Sequence, residues 1–410
     1  MTDLQRPISR RRFLRGAGIA ATALLAACAA PELLSPSSSS RPSASPATAT
    51  ELPSPSPPDV DLRTKIGQML LVGFRGTTAA TSAALLADIR ERALGGVVLF
   101  SIDQPTGSPI RNIESPEQLA ALTAALQAEA LAAQPGLPLT ISVDEEGGEV
   151  ARLGPSHGFP ATESAAALGA RNDPAYTEDA GAAIAATLVA AGINLNLAPV
   201  VDVNLNPDNP IIGALDRSFS PDPAIVTSQA EAFVRGHHRH QVLTTLKHFP
   251  GHGSATGDTH LGVVDVTDTW SEVELIPFQN LVDDDLADAV LTAHVFNRSL
   301  DPDNPATLSR PVVTGILREQ LGYDGLVISD DMQMGAIRDA YGYPDAVRLA
   351  IDAGVDVLTI ANQQVFEDGI VATTIDLIAG LVDDGTIPES RIDESWRRIQ
   401  AFKAVLRGAA

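Results

Sequence analysis

The chain has 410 residues, 44% hydrophobic and 19% charged, which are values of a globular protein with a large core. Its 51 acidic residues outnumber 28 lysines and arginines, giving a net charge of −23. That balance argues against non-specific nucleic-acid binding, which needs a positive field to displace counterions, and a lone cysteine excludes any internal disulfide.

In chain order, the first segment is an address. Residues 9–15, SRRRFLR, set Arg10 and Arg11 ahead of Phe13 and Leu14, the pattern of twin-arginine export signals. The apolar run 17–27 is too short for a membrane span of about 20 residues but suits the centre of a signal peptide. It ends in LAAC, Leu25–Cys28, which is similar to a bacterial lipobox. Residues 1–27 are therefore expected to be cleaved and Cys28 to be lipidated. The product would be an exported lipoprotein on the extracytoplasmic side, touching the membrane through its anchor alone. Residues 28–59 form a linker: the stretch 36–58, PSSSSRPSASPATATELPSPSPP, is too poor in apolar residues to pack.

From residue 60 to residue 410 the pattern changes. Apolar runs of strand length occur at 69–74, 95–100, 137–144, 193–203, 242–249, 287–295, 325–331 and 355–360. Amphipathic stretches such as 115–133 and 222–240 lie between them. Continuous rather than alternating apolar runs indicate strands covered on both faces, as in parallel sheets. Eight of them interleaved with helices predict an α/β fold, a single (β/α)8 barrel, with a doubly wound open sheet as the alternative.

The polar residues support the barrel. Asp144, Asp202, the pair Lys247 and His248, His294 and Asp330 each fall at the end of an apolar run, the face where such barrels build active sites. By contrast the HHRH cluster at 237–240 precedes the fifth run and is expected to supply cations to a helix C-terminus.

One loop is chemically dense. Residues 247–260, KHFPGHGSATGDTH, hold three of the eight histidines among glycines and a proline that forbid a helix. It could bind metal, move protons or be a polar surface loop. His248, His252, His260 and Asp258 are acceptable zinc ligands. Zinc motifs with histidines four apart sit on a helix, however, and Pro250 with Gly251 prevents one. Proton transfer suits a retaining glycosidase, which needs a carboxylate nucleophile and an acid for the leaving oxygen. Asp330 and Asp331 offer carboxylates, of which only one can readily face the mouth because strand side chains alternate. The other would serve a helix N-terminus.

Many segments together carry a resemblance. GQMLLVGF (67–74), VDEEGGEVARL (143–153), NLAPVVDV (196–203), LDRSF (215–219), KHFPGHG with DTH (247–260), LTAHV (291–295) and GLVISDDMQMGAI (325–337) stand in the order found in glycoside hydrolase family 3. They resemble its β-N-acetylglucosaminidase branch. The resemblance implies that Asp330 is the nucleophile and that His260, partnered by Asp258, is the acid/base. It also implies that Asp144, Arg152, Arg217, Lys247 and His248 hold the sugar, without metal or cofactor. Glu145 stands where glutamine is common in the family, Glu149 where arginine is common, and DDMQM replaces a more usual DDLSM. His252 is expected to be structural. Family β-glucosidases often take an acid/base glutamate from a second domain. Here the helix expected at 391–406 nearly ends the chain, so an internal acid/base is expected. The implied reaction is removal of terminal β-linked N-acetylglucosamine from peptidoglycan fragments or chitin oligomers by a monomer. Two alternatives remain open: a phosphorylase on the same fold, and a non-catalytic wall-binding lipoprotein.

Overall fold

The computed structural model describes residues 60–408; the expected export signal, Cys28 and linker lie outside the described residues. Each of the eight apolar runs contains a strand. These are β1 (Leu70–Gly73), β2 (Gly96–Leu99), β3 (Thr140–Val143), β4 (Leu195–Asn196), β5 (Leu243–Phe249), β6 (Ala289–Thr292), β7 (Leu326–Ile328) and β8 (Leu358–Ile360). All pair in parallel, in the spatial order β7-β6-β5-β4-β3-β2-β1-β8. Only one bridge, between Ile328 and Val357, joins β7 to β8, so the barrel is nearly closed. At that seam the Asp356 carboxylate substitutes for ladder bonds. It accepts from the Val327 amide at 3.1 Å and from Arg318 at 2.6 Å.

The connecting helices follow from local signals. Helices Pro116–Ala132, Pro174–Ala190 and Pro223–His238 each open with proline, whose missing N–H costs nothing in a first turn. Before each proline stands a capping residue, Ser115, Asp173 or Asp222, whose side chain accepts a first-turn amide. At Ser115 the cap is reciprocal, because Gln118 returns a bond to the Ser115 amide. Buried faces of these helices and both faces of the strands join in one apolar core.

Two expectations need correction. The fourth run, expected to be a strand throughout 193–203, pairs as a strand only at Leu195–Asn196. Pro199 has no N–H to donate, and beyond it a single bridge from Val200 to Lys247 keeps contact with β5. The HHRH cluster is not a uniform cationic cap either. His237 is fully buried, its Nδ1 donating to the Phe233 carbonyl at 2.9 Å and its Nε2 accepting from Asn196 at 3.0 Å. Burial pushes its pKa down to about 4, so it is neutral and fastens the helix to β4. Its neighbour His238 goes the other way: its 2.8 Å bond to Asp288 raises its pKa above the ordinary histidine value.

Candidate active site

The C-terminal ends of the strands surround a cavity of about 400 Å3. Asp144 follows β3 and opens a tight antiparallel hairpin, Glu145–Gly147 with Val150–Ala151, that carries Glu146, Glu149 and Arg152. Lys247 and His248 come from the end of β5, where the register against β6 shifts between Lys247 and Phe249. His248 is the extra residue of that irregularity, so two chain neighbours both reach the cavity.

On the cavity floor the charges interlock. Lys247 Nζ lies 2.7 Å from Asp144 Oδ1 and 2.6 Å from Glu146 Oε1. Arg217 binds Glu146 in bidentate fashion, through Nε at 2.7 Å and Nη2 at 2.8 Å. Burial alone would raise the Glu146 carboxyl, yet Arg217 and Lys247 hold it well below the usual carboxylate range. Burial would likewise lower the Lys247 ammonium, but Asp144 and Glu146 raise it. Arg152 Nη2 faces Asp144 at 3.9 Å. The His248 ring donates from Nδ1 to Asp202 at 2.7 Å and accepts from Arg217 at Nε2, 3.2 Å away. Asp202 has no exposed surface and also accepts the His248 and His252 amides.

Asp330 lies on the cavity wall beyond β7 and accepts the Asp331 amide at 2.8 Å. Burial pushes its carboxyl up, but the histidines His294, His248 and His260 and that amide bring it below the ordinary value. Asp331 is spent differently. Its Oδ1 accepts from the amides of Gln333 at 3.1 Å and Ala361 at 2.9 Å, which ties the β7 loop to β8. Burial raises its pKa to about 6. The next helix begins only at Gly335, so Asp331 caps a turn before it rather than the helix itself. His294 is equally committed, with Nδ1 to Thr307 and Nε2 to the Asp331 carbonyl, both at 2.9 Å.

At the rim, His260 Nδ1 is 2.7 Å from Asp258 Oδ1, and the same oxygen accepts the His260 amide at 2.9 Å. The His260 side chain is 52% exposed, against 9% for His248. Its loop is anchored from behind. Glu274 accepts from the Gly253 amide at 2.8 Å and Ser254 Oγ at 2.6 Å. Gly253 passes so near Val203 that a Cβ there would stand 1.8 Å from its carbonyl oxygen. Gly251, at φ +122°, turns the chain against Glu274. His252 is buried in the same loop and lowered by burial to about 4.

Thus Asp144, Arg152, Arg217, Lys247, His248, His260 and Asp330 all line one cavity, and Asp258 stands behind His260. Sequence reasoning gave no role to Glu146, which joins Arg217 to Lys247, and set Asp202 at a strand end without its partner His248. The run of carboxylates in DEEGGE was a signal for the first. Among the described residues no three His, Cys, Asp or Glu side chains are grouped to hold a metal ion. The arrangement offers an ionised carboxylate on the wall, an imidazole backed by a carboxylate at the rim, and a floor of fixed donors and acceptors. Those are the parts of acid/base-assisted nucleophilic displacement.

Residues 61–402 match the model of the glycosyl hydrolase family 3 N-terminal domain. The chain belongs to glycoside hydrolase family 3. This family 3 chain is 31% identical over 373 residues to the β-hexosaminidase A of Pseudoalteromonas piscicida, covering 83% of itself and 60% of that protein. It is 38% identical over 311 residues to the β-hexosaminidase of Xylella fastidiosa (strain M23), covering 74% of itself and 86% of the relative. Its fold is similar to that of a family 3 β-N-acetylglucosaminidase from Paenibacillus sp. FPU-7, with a TM-score of 0.77 and 36% identity. That match covers 86% of this chain and 64% of the other. The chain therefore spans about three fifths of the Pseudoalteromonas and Paenibacillus proteins.

Proposed function

We propose that this family 3 chain is a retaining exo-β-N-acetylglucosaminidase that hydrolyses terminal β-linked N-acetylglucosamine from wall fragments or chitin oligomers. The observation that carries this reading is the pairing of Asp330 and the His260–Asp258 dyad on one cavity with a charged, hydrogen-bonding floor. Relatives named as β-hexosaminidases support the substrate class. In this mechanism the terminal sugar lies on the floor, its hydroxyls bonded by Asp144, Arg152, Arg217, Lys247 and His248. The Asp330 carboxylate attacks the anomeric carbon while His260 gives its proton to the departing oxygen. The glycosidic C–O bond breaks as the C–O bond to Asp330 forms. Neutral His260 then takes a proton from water, whose oxygen displaces Asp330 and restores the original configuration. Asp258 orients the imidazole through its 2.7 Å contact with Nδ1. Two partly exposed features suit this sequence: the acid sits at the rim, where a leaving group departs, and the nucleophile sits deeper.

The test is Asp330→Asn, which is expected to lower kcat by about 10^4-fold or more, together with peptide mapping after a mechanism-based fluorosugar. Label on Asp331 would refute the assignment. His260→Ala is expected to cost far more on a disaccharide than on a nitrophenyl glycoside, whose leaving group hardly needs protonation. Equal losses on both would show that His260 does not move protons. Product analysis with and without inorganic phosphate separates hydrolysis from phosphorolysis. For cellular placement, the reading is a lipid-anchored exported enzyme, and Cys28→Ser is expected to release it from membranes without loss of activity.

A further inference from the structure

We propose that Glu149 sets the charge preference of the leaving-group side, so that neutral or amine-bearing oligosaccharides are cleaved in preference to carboxylate-bearing ones. This rests on the reading of the same cavity as that of a β-N-acetylglucosaminidase. The cavity has a clear vertical order. Lys247 is 2% exposed, Glu146 5% and His248 7%, so the floor is enclosed, and the terminal sugar must seat there. His260 and Glu149 are exposed at the rim. The group that protonates a departing oxygen must lie beside it, so the rim next to His260 is where the leaving sugar rests.

What that sugar meets is decided by which charges remain free. The lysine and arginines lining the cavity, and its histidines His248 and His260, each face a carboxylate, while the buried His252 ring contacts Thr259. Lys247 faces Asp144 and Glu146, Arg217 faces Glu146, Arg152 faces Asp144, His248 faces Asp202 and His260 faces Asp258. Glu149 is the opposite case. It sits at the turn of the hairpin beside Gly148, lines the cavity, and has no ion-pair or hydrogen-bond partner for its carboxylate among the described residues. The other rim side chains, Ile102, Gln104 and Gln364, carry no charge. A leaving sugar that bears a carboxylate, such as a lactyl ether or an attached acidic peptide, would therefore meet the unpaired Glu149, while each lysine and arginine lining the cavity already faces a carboxylate, Arg152 at 3.9 Å. The net charge of −23 works in the same direction at longer range. A neutral N-acetylhexosamine would meet no penalty, and a free amine would be attracted.

Because Glu149 is exposed, its field acts through water. At about 5 Å two unit charges in water differ by a factor of about four in binding, and salt at about 0.1 M screens interactions beyond about 10 Å. The experiment compares kcat/KM for three disaccharides with the same non-reducing N-acetylglucosamine. Their reducing ends are N-acetylglucosamine, glucosamine and N-acetylmuramic acid, and each is measured at low and high salt. The wild type is expected to favour the neutral over the carboxylate-bearing disaccharide by about three- to tenfold, and the amine-bearing one by a similar factor over neutral. Glu149→Gln is expected to bring these ratios toward one, Glu149→Lys to reverse them, and high salt to flatten them. Ratios that stay the same in both variants, or a wild type that favours the carboxylate-bearing sugar, would overturn the proposal. Failure to cleave any of the three would instead overturn the glycosidase reading, and the inference with it.

Discussion

Two buried lysines at opposite ends of the barrel have been treated in opposite ways. Lys247, at the mouth, touches two carboxylates and is raised by them against the effect of burial. Lys403, on the C-terminal helix Glu389–Gly408 that covers the other end, has none among the described residues. Its ammonium donates to Gln68 Oε1 and the Gly95 carbonyl, both at 2.7 Å, and burial pushes its pKa down to about 7. Dipoles satisfy geometry but do not offset the loss of hydration that a counter-charge offsets. The mouth thus keeps its lysine charged at any pH a cell meets. The far end of the barrel holds a lysine near its titration point.

Removing the mouth's counter-charge is the strongest way to break this contrast. Glu146→Gln leaves Arg217 with no carboxylate and Lys247 with Asp144 alone. A loss of about 3–5 kcal/mol in unfolding free energy is expected, with a fall in kcat/KM, measured by denaturant unfolding and disaccharide hydrolysis. An unchanged midpoint would mean that solvent already screens the cluster.

The far end is tested by pH. Lys403 has a folded pKa of about 7 against 10.5 when free, so between these values the unfolded chain binds more protons. Stability from this site therefore rises as pH increases from about 7 to 10.5. Lys403→Met removes the titration. Relative to the variant, the wild type is expected to gain on the order of 3 kcal/mol across that window. A pH-independent difference would show that the ammonium is better solvated than its surroundings suggest.

A third buried charge sharpens the comparison with a smaller effect. Glu145 lies beside Asp144 but not in the cavity. Its Oε2 accepts the Leu153 amide at 2.8 Å, and its Oε1 has no partner among the described residues. Burial raises its pKa to about 7 from 4.5, so the folded chain binds more protons between those values and stability falls as pH rises through them. Glu145→Gln removes that loss. Its advantage over the wild type is expected to be about 2–3 kcal/mol greater at pH 8 than at pH 4.5 in thermal or denaturant unfolding.

Much of this was legible in the residues. Strand location follows from apolar runs that any parallel sheet must bury, and helix starts at Pro116, Pro174 and Pro223 follow from capping chemistry within three residues. The concentration of Asp144, Lys247, His248 and Asp330 at strand ends follows from the same runs. The Asp258–His260 contact spans two residues and is local. What only the tertiary structure decided is which long-range partners share charge. Glu146 meets Arg217 across 71 positions and Asp202 meets His248 across 46, and no periodicity records such pairs. The fate of HHRH was decided in the same way. His237 became a neutral core residue because the helix turned it toward Asn196, while His238, one position on, met Asp288, which raises its pKa. Ionisation depends on desolvation and on neighbours brought close by folding, and the order of residues along a chain specifies neither until the barrel has nearly closed.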